Sequence, residues 1–538
     1  MTTWSDLQKW DGDKFDHLID VLVAIRHKAS DSGEYVRDID VSSGWTGAGA
    51  TAAQNRRKDL ANSSAFLLAN LGEMIRITGK AQSDTSTVKT LVFEVQSLAD
   101  HYGFNISTSG EVTDPHPIKR SISDIMSLWD TDHDNKRKDR EKALKQCQEK
   151  LKYVIQMAKL TDEIYTRDLN VIANGTMIVK EGLDYPTPGL SDIPSNKKDP
   201  VQVAAWWNAH TDREKEALIR DNPDLIGNLN GVDGTSRDKA NRWRISRDKE
   251  ALTRKYTPDQ LKTNQAYQEL SAIERSLTKN NGDTQLLVYE PATGEKGHEK
   301  ARAAISAGNV DTADHVATYV PGMGTSVKDS MEGNVNAVTN LKNAAMAEGQ
   351  SKKVAVVAWI GYDAPPDPKN NHDYSVLDLN KAKSGGESLA RFEEGIRGSR
   401  DASIGGKSNV HMSVLAHSYG STTASYGMAS LRRGVVDHFA VFGSPGIKDG
   451  AWRMNVPKGH NYVLEFNDDV IRKANAAKKF WKTDDSLGWH GKDPTMDSGF
   501  KKLNPYGPTT KETGHSGYLV DGGEAQIKIA KVVLGTAG

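Results

Sequence analysis

The stretch from Asn409 to Arg432 decides the fold, and it reads N-V-H-M-S-V-L-A-H-S-Y-G-S-T-T-A-S-Y-G-M-A-S-L-R. Its apolar first part ends at Ala416-His417-Ser418-Tyr419-Gly420, and a helical pattern of small residues follows at once. A strand that meets a helix through small-x-Ser-x-Gly is typical of a nucleophile elbow, a tight turn that exposes the serine oxygen. The residues two before and two after the serine must be small, because strand and helix pass close together there. Ser418 is therefore the predicted nucleophile, with alanine at 416 where glycine is usual.

Short apolar strands alternate with helices on both sides of this stretch, from about residue 258 to the end of the chain. Besides the elbow strand, we predict strands at 285–289, 315–320, 354–360, 436–442 and 462–466. We predict helices near 258–278, 297–307, 331–347, 384–397 and 523–534. Such alternation predicts an α/β fold, a mostly parallel sheet covered by helices on both faces. Ligands gather at the carboxyl ends of the strands in such sheets, where most of the glycine, proline and carboxylate clusters lie.

A serine hydroxyl is a poor nucleophile until a base takes its proton, so a histidine is needed near Ser418. Four histidines lie well past it in the chain. We interpret His438, inside a strand, and His460, just before one, as structural. His515 is the preferred base, ahead of His490, because it lies in a glycine-rich loop just before the last helix.

The carboxylate that would orient this histidine comes from a pair of neighbours, Asp468 and Asp469. Both follow the strand that ends at Phe466, and strand alternation cannot separate them at a turn. We prefer Asp469, which is followed by Val-Ile, because it fits an acid emerging a few residues past the strand. Asp468 stays open as the alternative.

An oxyanion formed during attack by serine needs backbone N–H donors. The elbow supplies the N–H of Tyr419, the residue after the nucleophile. The loop that follows the strand at 315–320 reads Pro-Gly-Met-Gly-Thr, and its position and glycine content make the N–H of Met323 the second candidate. A tight glycine turn without a catalytic role is the alternative interpretation.

Length and charge limit the other possibilities. With 538 residues and a net charge of -1, the chain is predicted to hold two or three domains and no nucleic-acid surface. One cysteine, Cys147, rules out an intrachain disulfide. We expect no membrane span, because no run of about 18 apolar residues occurs. No ordinary secretory signal is visible in the first 26 residues, so a cytoplasmic protein and one exported by another route both remain open.

Three parts follow from composition: a helical domain at 1–183, a linker and bridging helices at 184–257, and the α/β domain at 258–538. Two predicted helices of the first part flank Ser-Gly-Trp45-Thr-Gly47-Ala-Gly-Ala. This helix, Trp-x-Gly turn and helix resembles the WxG-type hairpins of actinobacterial type VII secretion substrates, which implies export and a helical protein partner. The Tyr-x-x-x-Asp/Glu export signature is not found just after it.

An acidic segment from Asp130 to Glu141 has the carboxylate spacing of a calcium-binding EF-hand loop. Its sixth position is Asn135 instead of glycine and its eighth is Arg137 instead of an apolar residue. We therefore interpret it as a charged helix junction and expect neither a metal nor a cofactor in the protein.

Six motifs of the last part resemble, in order, an actinobacterial α/β-hydrolase family whose members often carry a helical region in front. They are Tyr-Val-Pro-Gly-Met-Gly-Thr, Trp-Ile-Gly-Tyr-Asp-Ala-Pro, Ala-His-Ser-Tyr-Gly-Ser, Gly-Ser-Pro-Gly, His-Gly-Lys-Asp-Pro and Gly-His-Ser-Gly-Tyr-Leu. The likeness covers about 280–538 and implies an α/β-hydrolase fold with Ser418, one aspartate of the 468–469 pair and His515 as a catalytic triad. Two earlier segments, Pro-Asp-Leu-Ile-Gly at 223–227 and Arg-Asp-x-Ala-Asn-Arg at 237–242, also resemble the region preceding that domain.

The sequence thus favours a serine hydrolase that acts on a small acyl ester, a thioester or a lipid-like substrate through an acyl-enzyme. An amidase or peptidase with the same triad is not separated from it by sequence. The helical region also suggests another class, a catalytically silent scaffold or interaction protein linked to type VII secretion. The segment 472–514 is interpreted as a lid over the serine or as a surface excursion.

Overall fold

The structure is a computed structural model that describes residues 3–39, 44–118, 131–174, 193–279, 282–295, 298–349, 352–367, 375–402, 409–472 and 490–537. The chain divides into two compact units, Met1–Ser191 and Asp192–Gly538. In the described part, no helix combines the length and apolar character that crossing a membrane requires.

The first unit is helical. Its helices are α1 (Trp4–Leu7), α2 (Lys14–Asp38), α3 (Ala48–Tyr102) and α4 (Thr131–Ala173), and a short antiparallel pair, β1 (Asn105–Ile106) and β2 (Val112–Thr113), follows α3. Helix α3 packs against both α2 and α4. It ends where Gly103 adopts a left-handed conformation with φ of 69°, as a glycine at a helix end commonly does. Cys147 is buried between α3 and α4 and has a free thiol.

Two sequence features of this unit have definite positions. Trp45 is half exposed, and its ring lies so close to Gly49 that an added Cβ there would come within 3.3 Å of it. Gly47 has φ of 102°, which lets the chain turn into α3. The acidic segment lies in α4 from Thr131 onward, so residues 131–141 form a helix and not a loop; Asp130 lies outside the described residues.

Ten helices are described in the second unit. They are α5 (Pro200–Ala209), α6 (Asp212–Asp221), α7 (Pro223–Ile226), α8 (Gly234–Lys255), α9 (Pro258–Thr263), α10 (Gln265–Leu277), α11 (Val327–Gly349), α12 (Asn380–Asp401), α13 (Tyr419–Ser430) and α14 (Glu524–Val533). The first turns of α5, α6, α8, α9 and α10 are capped by side chains that accept a backbone N–H: Asp199, Thr211, Asp233, Thr257 and Asn264.

An eight-stranded sheet forms the centre of this unit. Its strands are β3 (Thr284–Glu290), β4 (Arg302–Ala307), β5 (His315–Val320), β6 (Val354–Ile360), β7 (His411–His417), β8 (His438–Phe442), β9 (Asn461–Leu464) and β10 (Phe500–Lys502). Their order is β10-β9-β8-β7-β5-β6-β4-β3, with β4 antiparallel to both of its neighbours and the other pairs parallel. The predicted α/β class, preceded by a helical region, is confirmed.

Two apolar cores sandwich the sheet. One includes residues of α10, α11 and α14, and the other includes residues of α12 and α13. The near-continuous burial of β5, β6 and β7 follows from this coverage on both faces. Because both faces are covered, the carboxyl ends of these strands are where polar side chains can meet.

Two details differ from the sequence prediction. The helix predicted near 297–307 is wrong, because Arg302–Ala307 is strand β4, paired on both sides. Its sequence, R-A-A-I-S-A, has good helix formers, but tertiary pairing in the sheet overrides that preference. The predicted lid segment includes β10, which extends the sheet beside β9, while residues 473–489 of it lie outside the described residues.

Candidate active site

Ser418 lies at the turn between β7 and α13. Its backbone has φ of 54° and ψ of -132°, and Asp449 is the other non-glycine residue with positive φ in the described part. A bulky side chain pays a steric penalty in this region, and such strain clusters at functional sites. The turn directs the serine away from the strand, as an elbow requires.

Small residues let the strand, the helix and a neighbouring loop approach at this turn. A Cβ on Gly420 would lie 2.3 Å from the carbonyl oxygen of Val320, so no larger residue fits without movement. A Cβ on Gly322 would lie 2.7 Å from the Cβ of Ser418, which places the loop after β5 directly against the serine. Ala416 is fully buried within β7, and its methyl group is accommodated.

His515 joins the serine to a carboxylate. Its Nε2 is 2.9 Å from Oγ of Ser418, and its Nδ1 is 3.0 and 3.1 Å from the two carboxylate oxygens of Asp469. Gly443, with φ of 56°, lies beneath this pair, because a Cβ there would be 3.0 Å from both Asp469 Oδ2 and His515 Nδ1. One imidazole nitrogen thus faces a hydroxyl and the other a carboxylate, the arrangement that activates a serine.

The two neighbouring aspartates have different partners. Asp469 is fully buried and contacts His515, whereas the described hydrogen bonds of Asp468 go to other groups. Asp468 instead accepts hydrogen bonds from the hydroxyl of Thr513, at 2.6 Å, and from the N–H of Gly514, at 3.1 Å. It thereby holds the loop that carries His515, and Asp469 is the aspartate that the structure brings to the imidazole.

A tyrosine that the sequence left without a role completes the surroundings of Asp469. The hydroxyl of Tyr518 donates to Asp469 Oδ2 at 2.7 Å and accepts the N–H of Phe466 at 3.1 Å. Burial raises the pKa of Asp469, but hydrogen bonds from His515, from the N–H of Ile471 and from Tyr518 outweigh it and hold the pKa below its usual value. The carboxylate therefore remains ionised at neutral pH. The spacing Gly-His-Ser-Gly-Tyr was visible in the sequence, but which way Tyr518 points was not.

The loop after β5 is fixed around Met323. Tyr362 donates to the carbonyl oxygen of Pro321 at 2.9 Å, and the N–H of Gly324 donates to the carbonyl oxygen of Pro365 at 2.8 Å. Among the described residues, the N–H groups of Met323 and Tyr419 have no acceptor. Tyr419 begins α13, where the first N–H groups have no intrahelical partner, so both donors are available beside the serine.

His417, also without a predicted role, packs against His515. Its ring centroid is 4.6 Å from that of His515, and its Nε2 is 2.8 Å from the backbone carbonyl oxygen of His515. Burial, with the nearby His515, lowers the pKa of His417 to about 4. The neutral ring therefore donates Nε2–H to that carbonyl and supports the loop that carries His515.

The other histidines lie elsewhere. His490, the alternative base, is buried edge-on against the ring of Tyr419, with centroids 5.3 Å apart, and the structure does not bring it to Ser418. His438 and His460 lie at the opposite edge of the sheet, in β8 and just before β9. In the described part of the chain, no group of three or more His, Cys, Asp or Glu side chains is placed to hold a metal ion.

Comparisons with known proteins place this geometry in context. The sequence pattern of a family described as alpha/beta hydrolase matches residues 296–478. An uncharacterized protein of Mycobacterium tuberculosis is 33% identical over 323 residues, which is 54% of this chain and 47% of that protein. This chain therefore spans about half the length of that relative.

A second relative and a solved structure also match part of the chain. An uncharacterized protein of Mycobacterium bovis is 30% identical over 223 residues, 39% of this chain and 76% of that protein. A hyperthermophilic esterase from the archaeon Pyrobaculum calidifontis matches with 14% identity and a TM-score of 0.27, over 55% of this chain and 98% of that one.

Proposed function

Since the chain belongs to the alpha/beta hydrolase family, we propose that it is a serine hydrolase that cleaves an ester or thioester through an acyl-enzyme. The observation that carries the proposal is the position of His515, whose two ring nitrogens are 2.9 Å from Ser418 Oγ and 3.0 Å from Asp469 Oδ1. The strained backbone of Ser418 and the two available N–H groups beside it support the same conclusion.

Acylation would proceed by attack of Ser418 Oγ on the substrate carbonyl carbon while Nε2 of His515 takes the hydroxyl proton. The carbonyl oxygen becomes an oxyanion and accepts hydrogen bonds from the N–H groups of Met323 and Tyr419. The tetrahedral intermediate collapses, the bond to the leaving oxygen or sulfur breaks, and His515 returns its proton to the leaving group. The ester link to Ser418 is the product of this half-reaction.

Deacylation repeats these steps with water as the nucleophile. His515 takes a proton from the water as its oxygen attacks the acyl carbon, and then returns the proton to Ser418 as the acid is released. Asp469 stays ionised throughout: it accepts the Nδ1–H of His515, fixes the tautomer and stabilises the imidazolium. Tyr518 and the N–H of Ile471 hold the carboxylate in place.

The decisive experiment uses a fluorophosphonate probe, which labels an activated serine without knowledge of the natural substrate. We expect the wild-type protein to be labelled and Ser418→Ala to be inert. Ser444→Ala is the matched control, because Ser444 is a nearby buried serine whose Oγ hydrogen-bonds to Ser421. Labelling that survives in Ser418→Ala would place the nucleophile elsewhere, and a wild-type protein that is not labelled would favour a silent scaffold.

Substrate class is tested by turnover after labelling has identified the serine. Acyl esters, thioesters and amides that share one acyl group are compared at equal concentration. We expect ester and thioester cleavage to exceed amide cleavage, because their leaving groups need less assistance. A preference for the amide would assign the alternative activity, an amidase or peptidase with the same triad.

A further inference from the structure

The second unit contains a polar cavity of about 150 Å³ that the proposed chemistry does not use. It lies between α8, α12 and the antiparallel edge of the sheet. Part of its wall comes from the two segments that precede the α/β domain, which the sequence marked without giving them a chemical role. Arg237, at the start of the second segment, and Asn230, just after the first, both line it.

Arg237 is buried and makes no direct ion pair among the described residues, although the carboxylates of Glu290, Asp311 and Asp233 act on its charge at longer range. The residue is 2% exposed, its Nε donates to the carbonyl oxygen of Gly227 at 3.4 Å, and its guanidinium lies 5.6 Å from the ring centre of Phe392. Its Nη2 is buried and has no hydrogen-bond partner among the described residues. Burial lowers the pKa of Arg237 to about 10, so the side chain keeps its charge at neutral pH. A buried charge of this kind is costly unless it is paired.

Among the described residues, the wall of the cavity includes one carboxylate, Glu290, which pairs with Arg302 and makes no ion pair with Arg237. Arg302 is 3.5 Å from Glu290 and 3.6 Å from Asp363, so its own charge is balanced by these two carboxylates. Arg391 donates to backbone carbonyl oxygens, including that of Lys198 at 2.8 Å, and these carry no net charge. Two of the three guanidinium groups on the wall therefore have no anionic partner among the described residues.

We propose that this cavity binds a small oxyanion, the phosphate or carboxylate group of a ligand. Guanidinium groups present their N–H donors in a planar fork that fits such oxygens, and Arg237 Nη2 has the donor capacity left to bind one. The cavity has room for a single group of this size. Asn230 lines the same cavity, and its Oδ1 is buried without a partner among the described residues; a turn of its amide would present the N–H groups to the anion.

The site is separate from the triad but lies at the same edge of the sheet. Arg302 begins β4, which is three strands from β7, so the two places are separated by roughly 14 Å at the usual strand spacing. A larger cavity of about 630 Å³ shares Arg302, Gly361 and Ser388 with the smaller one and reaches Asp378. The carbonyl oxygen of Asp378 accepts the Tyr419 hydroxyl at 3.1 Å. The oxyanion can therefore be free or be one end of a long substrate.

Calorimetric titration with inorganic phosphate at constant ionic strength tests the site in the full chain. We expect saturable binding to the wild type and a loss of affinity of about tenfold or more in both Arg237→Gln and Asn230→Asp. Asn230→Asp keeps the side-chain size and adds a repelling charge, so it remains informative if Arg237→Gln fails to fold. Arg254→Gln, on the exposed face of the same helix, is the matched control and should bind as the wild type does.

Other results would overturn the proposal. The first is the absence of saturable phosphate binding to the wild type, which would mean a water-filled cavity. The second is equal phosphate affinity of the wild type and Asn230→Asp. Ser418→Ala should bind phosphate normally, so this result is independent of the proposed hydrolase activity.

The source of the anion is settled by two long-chain ester substrates, one ending in a methyl group and one in a carboxylate. If Asn230→Asp lowers kcat/KM for the second alone, the anion belongs to the substrate; equal kcat/KM values in variant and wild type assign a free anion.

Discussion

The two edges of one sheet carry histidines in different surroundings. At the amino edge, His315, His411, His438 and His460 form a row whose successive ring centroids are 5.4, 4.6 and 4.5 Å apart. At the carboxyl edge, His515 lies between a hydroxyl and a carboxylate. Strand β7 spans both edges, with His411 at its start and Ser418 following its end.

The difference lies in what each imidazole faces. Asp437, a carboxylate close to the row, already accepts hydrogen bonds from Arg397 at 3.0 Å and from the N–H of Met412 at 2.8 Å. Burial lowers the pKa of His438 to about 4 and keeps its ring neutral. Of these five histidines, His515 is the one whose two ring nitrogens face a carboxylate and a serine hydroxyl, which is why we propose it as the base.

The largest effect is expected when the two neighbouring aspartates are replaced by asparagine, one at a time, because Asp469 is the one that faces His515. Asp469→Asn should lower the rate of fluorophosphonate labelling by about 10⁴-fold, because the amide no longer holds the tautomer with Nε2 free to accept a proton. Asp468→Asn is the control: its Oδ1 can still accept the N–H of Gly514, and we expect a loss of tenfold at most.

Circular dichroism on both variants shows whether the fold is kept. Equal losses in the two folded variants would mean that the orientation of the loop, and not the contact with His515, limits the reaction.

The histidine row should affect how the free energy of unfolding depends on pH, and should not affect activity. The folded pKa of His438 lies below the ordinary value of about 6.5, so the unfolded chain binds more protons between about pH 6.5 and pH 4. Its contribution to the free energy of unfolding is therefore present above that range and is lost as the pH falls through it. Glu393 and Glu465 act in the opposite direction, because burial raises their pKa values to about 8 and about 7.

Because these groups act in opposite directions, the contribution of His438 is measured as the difference in unfolding temperature between the wild type and His438→Gln. The unfolding temperatures of the wild type and His438→Gln, measured from pH 7.5 to 4.5, should approach each other as the pH falls, by several degrees. Labelling of Ser418 at pH 7.5 should be equal in the two folded proteins. A temperature gap that does not change with pH would contradict the assignment of His438 as a buried neutral histidine.

A smaller effect on the labelling rate is expected when the hydroxyl that donates to Asp469 is removed. Tyr518→Phe keeps the ring but removes the donor to Asp469, and we expect labelling to slow by about tenfold. Tyr506→Phe is the matched control, because its hydroxyl accepts the N–H of Asn467 at 2.6 Å and does not touch Asp469. Equal rates for Tyr518→Phe and the wild type would reduce Tyr518 to a packing residue.

Sequence patterns predicted most residues of the candidate site at the carboxyl edge, but not the side chains that hold those residues in place. Ser418 and His515 were accessible because an elbow and a glycine-rich loop have local signatures, and six of the eight strands described in the sheet followed from apolar runs. The role of Tyr518 and the support from His417 were not accessible, since a pattern does not show where side chains point after the chain turns. Strand β4 was missed because its alanines favour a helix until two neighbours pair with it.

The smallest expected effect concerns the one irregular position of the elbow. Ala416→Gly removes a buried methyl group, worth about 0.8 kcal/mol, and loosens a strand, by roughly 0.5–1 kcal/mol, so we expect a modest loss of stability. Labelling should change by less than about twofold, because Ala416 pairs in register with Val320 and Val441 without displacing the turn. Gly420 has no such freedom, since any Cβ there would meet the carbonyl oxygen of Val320. A large gain in the labelling rate of folded Ala416→Gly would instead show that the methyl group of Ala416 restrains the elbow. The need for a small residue would then be as strict at position 416 as at Gly420.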